Sequence, residues 1–463
     1  MISLALPVAD GVECVCSEIK VVLGGFVIKR LLGGWTLLSK SMGLMLSVGS
    51  GMMVGKEGPC VHLACCTANL VSRFFSKFRD NEARKRELMS SAAAAGVAVA
   101  FGAPVGGVLF SLEEVSSYFP PQTMWRSIFC AIVAAFTINR LDPLPFHRYV
   151  MFEVHFHHQW HLVELIPFGF LGALGGAIGA LFVRFNTRIC SRRKQSRVKQ
   201  WPVAEAAVVC MVTSMVDYPV VYLQGSNISL LHALFADCRE SGEQTMCSIQ
   251  HADQIVISLV LCASIKLMLT LFTFGLKIPG GLFVPSLTIG ALYGRALGFT
   301  VQALHHYYGD NYFFAVCKDT SRCINPAIYA IVGAASVLGG VTRMTVSLVV
   351  IMIEVTNGLQ YVLPVMFAVI ISKFVADAFG DESIYIEHIR LNGLPLLDSK
   401  GEYLYGETAR DAMHARHLRV LTLTGETMGS LQDVINEVCL PQPRRALPLP
   451  LARAAVLPPP SRL

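Results

Sequence analysis

Glu57, Glu113, Glu114 and Glu354 are acids set in or beside apolar sequence, and they carry the chemistry open to this chain. Glu57 stands in Gly55-Lys56-Glu57-Gly58-Pro59, with a glycine on either side of the Lys-Glu pair and a proline after it. That spacing predicts a loop turning into a helix, with Pro59 near the helix start. A helix N-terminus presents unpaired N–H groups and the positive end of a dipole, so it attracts anions. A carboxylate on the same loop can occupy that anion site itself, and protonating it removes the competitor. One residue could thereby link the movement of an anion to that of a proton. The same five residues also fit a cytosolic turn with a solvated charge pair, so the local sequence leaves both readings open.

Composition narrows the setting. Hydrophobic residues make up 53% of the 463 and charged residues 15%, with a mean hydropathy of +0.53. A soluble chain of this length needs more surface charge, so the balance points to a polytopic membrane protein. The net charge of +6 then belongs to cytoplasmic loops rather than to nucleic-acid binding. Residues 1–16 lack a basic leader and contain Asp10 and Glu13, so no signal peptide is read there. The fourteen cysteines follow no zinc or redox spacing; Cys65, Cys66, Cys130, Cys210 and Cys262 lie in apolar runs and read as packing residues. His155, His157, His158 and His161 cluster, but no cysteine and no firm helix supports a metal site, and none is expected.

The elements that must position the acids follow from patterning. An amphipathic stretch starts at Glu18, and the uncharged run 42–54 leads into the Glu57 loop. Residues 74–87 are dense in mixed charge and belong in water. Residues 90–114 are rich in alanine and glycine, which let helices approach closely in lipid, and end on Glu113 and Glu114. Residues 125–138 form another apolar segment, and 166–183 carry no charge. The pairs Gly172/Gly176 and Gly175/Gly179 in that second stretch mark a helix contact that could lie between subunits. The basic run 184–199 reads as a cytoplasmic loop. The segment 225–253 holds the sequon Asn227-Ile228-Ser229 with Cys238 and Cys247, which fits the opposite side. Cys317 and Cys323 sit in a polar loop between apolar blocks 255–299 and 328–379; for both pairs, disulfides and free thiols stay open.

Two halves are visible. Gly281-Leu282-Phe283-Val284-Pro285 repeats the glycine-to-proline spacing of the Glu57 loop. Each loop is followed by a small-residue segment ending in an acid, Glu114 in the first half and Glu354 in the second. Interrupted apolar segments at matching points of two halves point to a midplane transport site.

Five segments carry a family resemblance: GKEGPCVHLACC, AFGAPVGGVLFSLEEVSSYF, GLKIPGGLFVPSLTIGALYGR, GGVTRMTVSLVVIMIEVT and GDESIYIEHIRLNGLPLLD. The chain resembles the CLC family of chloride channels and chloride/proton exchangers, most of all the endosomal exchanger branch, from about residue 18 to about residue 413. The resemblance implies an all-α polytopic membrane fold of two antiparallel inverted repeats with broken, tilted helices. It implies a dimer with one anion pathway per subunit, formed with a second copy or with a related subunit. By motif, Glu57 resembles the external gating glutamate and Glu114 the internal proton-transfer glutamate. Gly58, Leu282 and Phe283 would present amides to chloride, and Tyr385 resembles the inner tyrosine whose hydroxyl faces the anion. Chloride is large and weakly hydrated, so amide dipoles and one hydroxyl can replace its shell.

The departures lie at the ends. The family's first anion loop reads Gly-Ser-Gly-Ile-Pro, whereas here the corresponding places hold Glu13-Cys14-Val15-Cys16-Ser17, which puts Cys14 at the chloride-binding serine. The organisation expected is an aberrant N-terminus at 1–17 and a transmembrane domain at 18–395, with halves of about 18–200 and 201–395. A linker and truncated start of a CBS domain follow at 396–440, then a disordered Pro/Arg-rich tail at 441–463. The chain reads as a fragment, splice form or misassembled frame of an exchanger. Alone, it is expected to conduct chloride feebly or not at all. The transport reading is chloride exchanged for protons across an endosomal or other intracellular vesicle membrane, with the plasma membrane as the alternative location, not an enzyme reaction. A passive voltage-gated channel and a non-transporting subunit associated with intact ones are the alternatives. Neither a cofactor nor a bound nucleotide is expected, the CBS region being cut short; the partners are lipid, chloride and another subunit, not nucleic acid.

Overall fold

The computed structural model describes residues 15–26, 28, 31–116, 119–141, 160–236, 252–307, 324–380 and 382–396, and every regular element among them is helical. The chain divides into two compact units, Met1–Ser399 and Lys400–Leu463, the second of which lies outside the described residues. Cys14, His155, His157, His158, Cys238, Cys247, Cys317 and Cys323 also lie outside them.

The first half runs α1 (Val15–Leu23), α2 (Gly34–Gly49), α3 (Glu57–Ser72), α4 (Ser76–Arg79), α5 (Glu82–Phe101), α6 (Pro104–Phe110), α7 (Pro121–Leu141) and α8 (Leu165–Gln195). The small-residue segment is therefore broken in two. Gly102, at φ 71°, ends α5 in the left-handed region, and Pro104 opens α6 at a position where no N–H is needed. A π-helical turn, Ser111–Val115, extends α6 and carries both Glu113 and Glu114. The second half runs α9 (Pro202–Asp217), α10 (Asn227–Phe235), α11 (Ala252–Thr273), α12 (Phe283–Tyr307), α13 (Pro326–Thr342), α14 (Val346–Thr356), α15 (Val362–Phe379) and α16 (Ile384–Leu391). Asn325 caps α13 by accepting from the Ala327 N–H at 3.0 Å, with Pro326 as its first residue.

Four helical stretches are long and apolar enough to cross a membrane: Pro121–Leu141, Leu162–Gln195, Asp253–Thr273, and Leu359–Leu391, which runs over residue 381, outside the described residues. Pro326–Thr342 and Val346–Thr356 are shorter apolar helices, as in a bundle built partly of interrupted pieces. The core lies where α8, α12, α13 and α15 pack together.

Two expectations change here. The glycine stripe of α8 faces this subunit's own helices rather than a partner. A Cβ at Gly172 would stand 2.6 Å from the Ala368 carbonyl oxygen, and one at Gly176 would stand 2.3 Å from that of Ser372. Gly175 meets Ser336 and Gly179 meets Gly340 in the same way. A stripe of small residues reports a close backbone neighbour, not which chain supplies it. The basic run, too, is largely helix: α8 continues to Gln195 with Arg192, Arg193 and Lys194 in its last turn, where cations meet unpaired carbonyls. Lys194 reaches across to donate to the Leu391 carbonyl at 3.1 Å, at the end of α16.

Candidate functional site

The two loops that echo each other in sequence are joined in space. Gly55 and Gly281 form an antiparallel bridge, each N–H donating to the other's carbonyl at 2.7 Å. The backbones approach closely enough at this crossing that any Cβ would be tight. A Cβ on Gly281 would stand 3.1 Å from the Gly58 nitrogen, and one on Gly55 would stand 3.3 Å from the Gly281 carbonyl oxygen. The bridge sets the N-termini of α3 and α12 side by side, so amides from both halves of the chain converge.

The Glu57 side chain folds back into that convergence. It is 2% exposed, and a Cβ on Gly55 would fall 2.1 Å from its Oε2. Neither carboxylate oxygen has a hydrogen-bond partner of good geometry, although the amides of Lys56, Glu57 and Val284 lie close enough to act on it. No ion pair involves Glu57 among the described residues, which removes the solvated charge pair of the turn reading. An ionised carboxylate buried this way is costly unless dipoles compensate it, and the two helix N-termini are the dipoles present.

Gly58, Leu282 and Phe283 are all buried at this crossing. The Phe283 ring packs against Phe101 at 5.6 Å and Phe110 at 5.7 Å, one ring at the end of α5 and one at the end of α6. It therefore ties the α12 N-terminus to the broken segment that carries Glu114. Tyr385 is buried on α16, in the same apolar core as Leu282 and Phe283. Burial makes an aromatic-belt role at a lipid surface the wrong one for it.

The acidic pair divides into two jobs. Glu114 is 9% exposed and takes an ion pair from Lys20 on α1, with Nζ 2.9 Å from Oε1. Arg126, twelve residues further along, pairs with Glu87 at 2.7 Å. Glu113 turns to the N-terminus of α14. The Thr345 N–H and hydroxyl donate to its Oε1 at 2.7 and 2.9 Å, and those of Ser347 donate to its Oε2 at 2.9 and 2.7 Å.

Glu354 returns the contact. At the far end of α14 it accepts from the amides of Val105 at 3.1 Å and Gly106 at 2.7 Å, at the N-terminus of α6. Each short helix thus ends near an acid that caps the start of the other. The acid matching Glu354 across the halves is Glu113, not Glu114 as the sequence spacing suggested. Adjacent residues differ by about 100° around a helix, and the spacing count did not resolve which one faced α14. Lys20, Phe101 and Phe110 also belong to this neighbourhood and went unread, since each is an ordinary residue until its distant partner is known. No group of three or more metal-ligating side chains occurs among the described residues.

Comparison with known proteins bears on family and fold. The family model described as "Voltage gated chloride channel" matches residues 7–377. "H(+)/Cl(-) exchange transporter 5" of Oryctolagus cuniculus is 47% identical over an alignment covering 91% of this chain and 54% of that protein. "H(+)/Cl(-) exchange transporter 3" of Homo sapiens is likewise 47% identical, with the same two coverages. The chain therefore spans about half the length of the curated relatives it matches. Among solved structures, a eukaryotic CLC transporter aligns with a TM-score of 0.64 at 28% identity, covering 83% of this chain and 61% of the other. A slow cyanobacterial Cl-/H+ antiporter aligns with a TM-score of 0.61 at 21% identity, covering 82% of each chain, a likeness of fold.

Proposed function

On the premise that this chain belongs to the voltage gated chloride channel family, a family of membrane proteins, we propose that it exchanges chloride for protons. The observation that carries the reading is the Glu57 carboxylate lying in a cradle of amides from two helix N-termini. In the proposed cycle the deprotonated side chain occupies the place a chloride ion would take. On protonation its attraction to the amides falls, it swings out, and chloride enters. Gly58, Leu282 and Phe283 then offer their backbone to the ion and Tyr385 its hydroxyl. Glu114 passes protons between Glu57 and the cytosolic side, and the Lys20 ammonium beside it belongs to that end of the path.

A passive channel is the weaker reading, because it has no use for a second buried acid such as Glu114. The names of the relatives support exchange, and the partner is proposed to be a second subunit of this kind. An intracellular, endosomal membrane is the proposed site of action, and Glu13-Cys14-Val15-Cys16-Ser17 would limit flux by standing where a glycine-rich first anion loop is proposed. The test is chloride and proton flux in liposomes, on the 463-residue chain and on the same chain with residues 13–17 changed to Gly-Ser-Gly-Ile-Pro. Chloride-driven proton uptake in the loop-restored chain is the expected result. Chloride flux without protons there would favour the channel, and no flux there would remove the transport reading.

A further inference from the structure

Helix α1 packs against α3, which begins with Glu57, and against the π-helical turn that carries Glu114, and it is anchored by two separate ion pairs. From Glu18 it reaches Lys40 on α2, with Nζ 3.2 Å from Oε2. Lys40 Nζ also lies 2.6 Å from His62 Nδ1 on α3, the helix that begins with Glu57. From Lys20 it reaches Glu114, 2.9 Å away. The first anchor is buried and the second somewhat more open: the Lys20 and Glu114 side chains are 19% and 10% exposed, against 3% and 6% for Lys40 and Glu18. A closed anchor suits holding a helix in place, while a partly open one beside a proton-carrying acid suits a working part.

We propose that Lys20 is a positioning residue for proton transfer, holding the Glu114 carboxylate in the orientation from which it exchanges protons. This rests on the exchange reading of Glu114. A charge-assisted hydrogen bond of this length fixes a carboxylate more firmly than a neutral one does. Proton transfer needs donor and acceptor within hydrogen-bond reach, so a displaced carboxylate loses rate steeply. Glu114 sits on a π-helical turn, a local geometry frequent at functional sites. Its neighbour Glu113 is committed to four hydrogen bonds with Thr345 and Ser347 and is not free to substitute for it. Lys20 can change without unmooring α1, because Glu18 and Lys40 still hold that helix.

The experiment compares chloride and proton flux in liposomes for the loop-restored full chain and three variants of it. Lys20→Met is expected to lower the proton-to-chloride ratio by about tenfold. Lys20→Arg, which keeps a cationic N–H donor for the carboxylate, is expected to retain the ratio within about twofold. Glu18→Gln weakens the other anchor of α1 and is expected to lower both fluxes together, leaving the ratio in place. An unchanged ratio in Lys20→Met overturns the proposal alone. So does an equal loss of ratio in Glu18→Gln, which would make α1 displacement the cause, or a failure of Lys20→Arg to retain it. Absence of chloride flux in the unsubstituted loop-restored chain overturns the exchange reading, and this proposal with it.

Discussion

A methyl group at residue 55 tests where the Glu57 carboxylate rests. Gly55→Ala would place its Cβ 2.1 Å from Glu57 Oε2, and the flexible side chain gives way before the backbone does. The protein should therefore stay folded, losing about 1 kcal/mol, while its proton coupling drops because the carboxylate can no longer lie in the cradle. Thermal unfolding and liposome flux on one preparation check both halves; normal coupling in a folded variant contradicts the placement. Glu57→Ala goes further and removes competitor and proton acceptor together, leaving chloride flux that no longer responds to pH. At this scale the sequence was most legible where the chemistry is local. Glycines and a proline around a lone glutamate announce a helix N-terminus from five adjacent residues. Glu113 was not legible in that way, because the amide it caps lies 232 residues further along the chain.

The short helices α6 and α14 are held by exchanged caps, and that exchange has measurable consequences. Glu113→Ala and Glu354→Ala should each destabilise the protein by roughly 2–4 kcal/mol, since each strands amides that had a carboxylate partner. Glu114→Ala should cost less stability yet abolish proton movement. Unfolding midpoints in detergent, set beside proton flux, separate the two acids; an equal flux defect with no stability defect from Glu113→Ala would count against the cap. The glycine face of α8 makes a similar prediction. Gly176→Ala forces a Cβ toward the Ser372 carbonyl and should lower subunit stability by about 1–3 kcal/mol. A shift in oligomeric state at unchanged stability would instead return that face to a subunit boundary. The uncharged run 166–183 marked this helix, and its paired glycines showed that it meets a neighbour. Only the three-dimensional path of the chain identifies α13 and α15 as that neighbour.

Across the whole molecule, the repeat between halves was the most informative feature of the sequence. Matching glycine-to-proline spacings at 55–59 and 281–285 marked the two loops that meet, and Gly55 and Gly281 are the residues that bond. The repeat could not say how the halves are joined, because inverted halves meet through contacts that spacing along one chain does not encode. The bonds of Glu113 with Thr345 and Ser347, and of Glu354 with the Val105 and Gly106 amides, are of that kind. The transport account stands or falls on whether Glu57 is both the anion's competitor and the proton's carrier. The most direct measurement is proton uptake driven by a chloride gradient into liposomes, comparing the loop-restored chain with its Glu57→Ala variant. The account predicts that the first moves protons with chloride and that the variant passes chloride with no proton movement. Proton uptake that persists in Glu57→Ala, alongside its chloride flux, would contradict it.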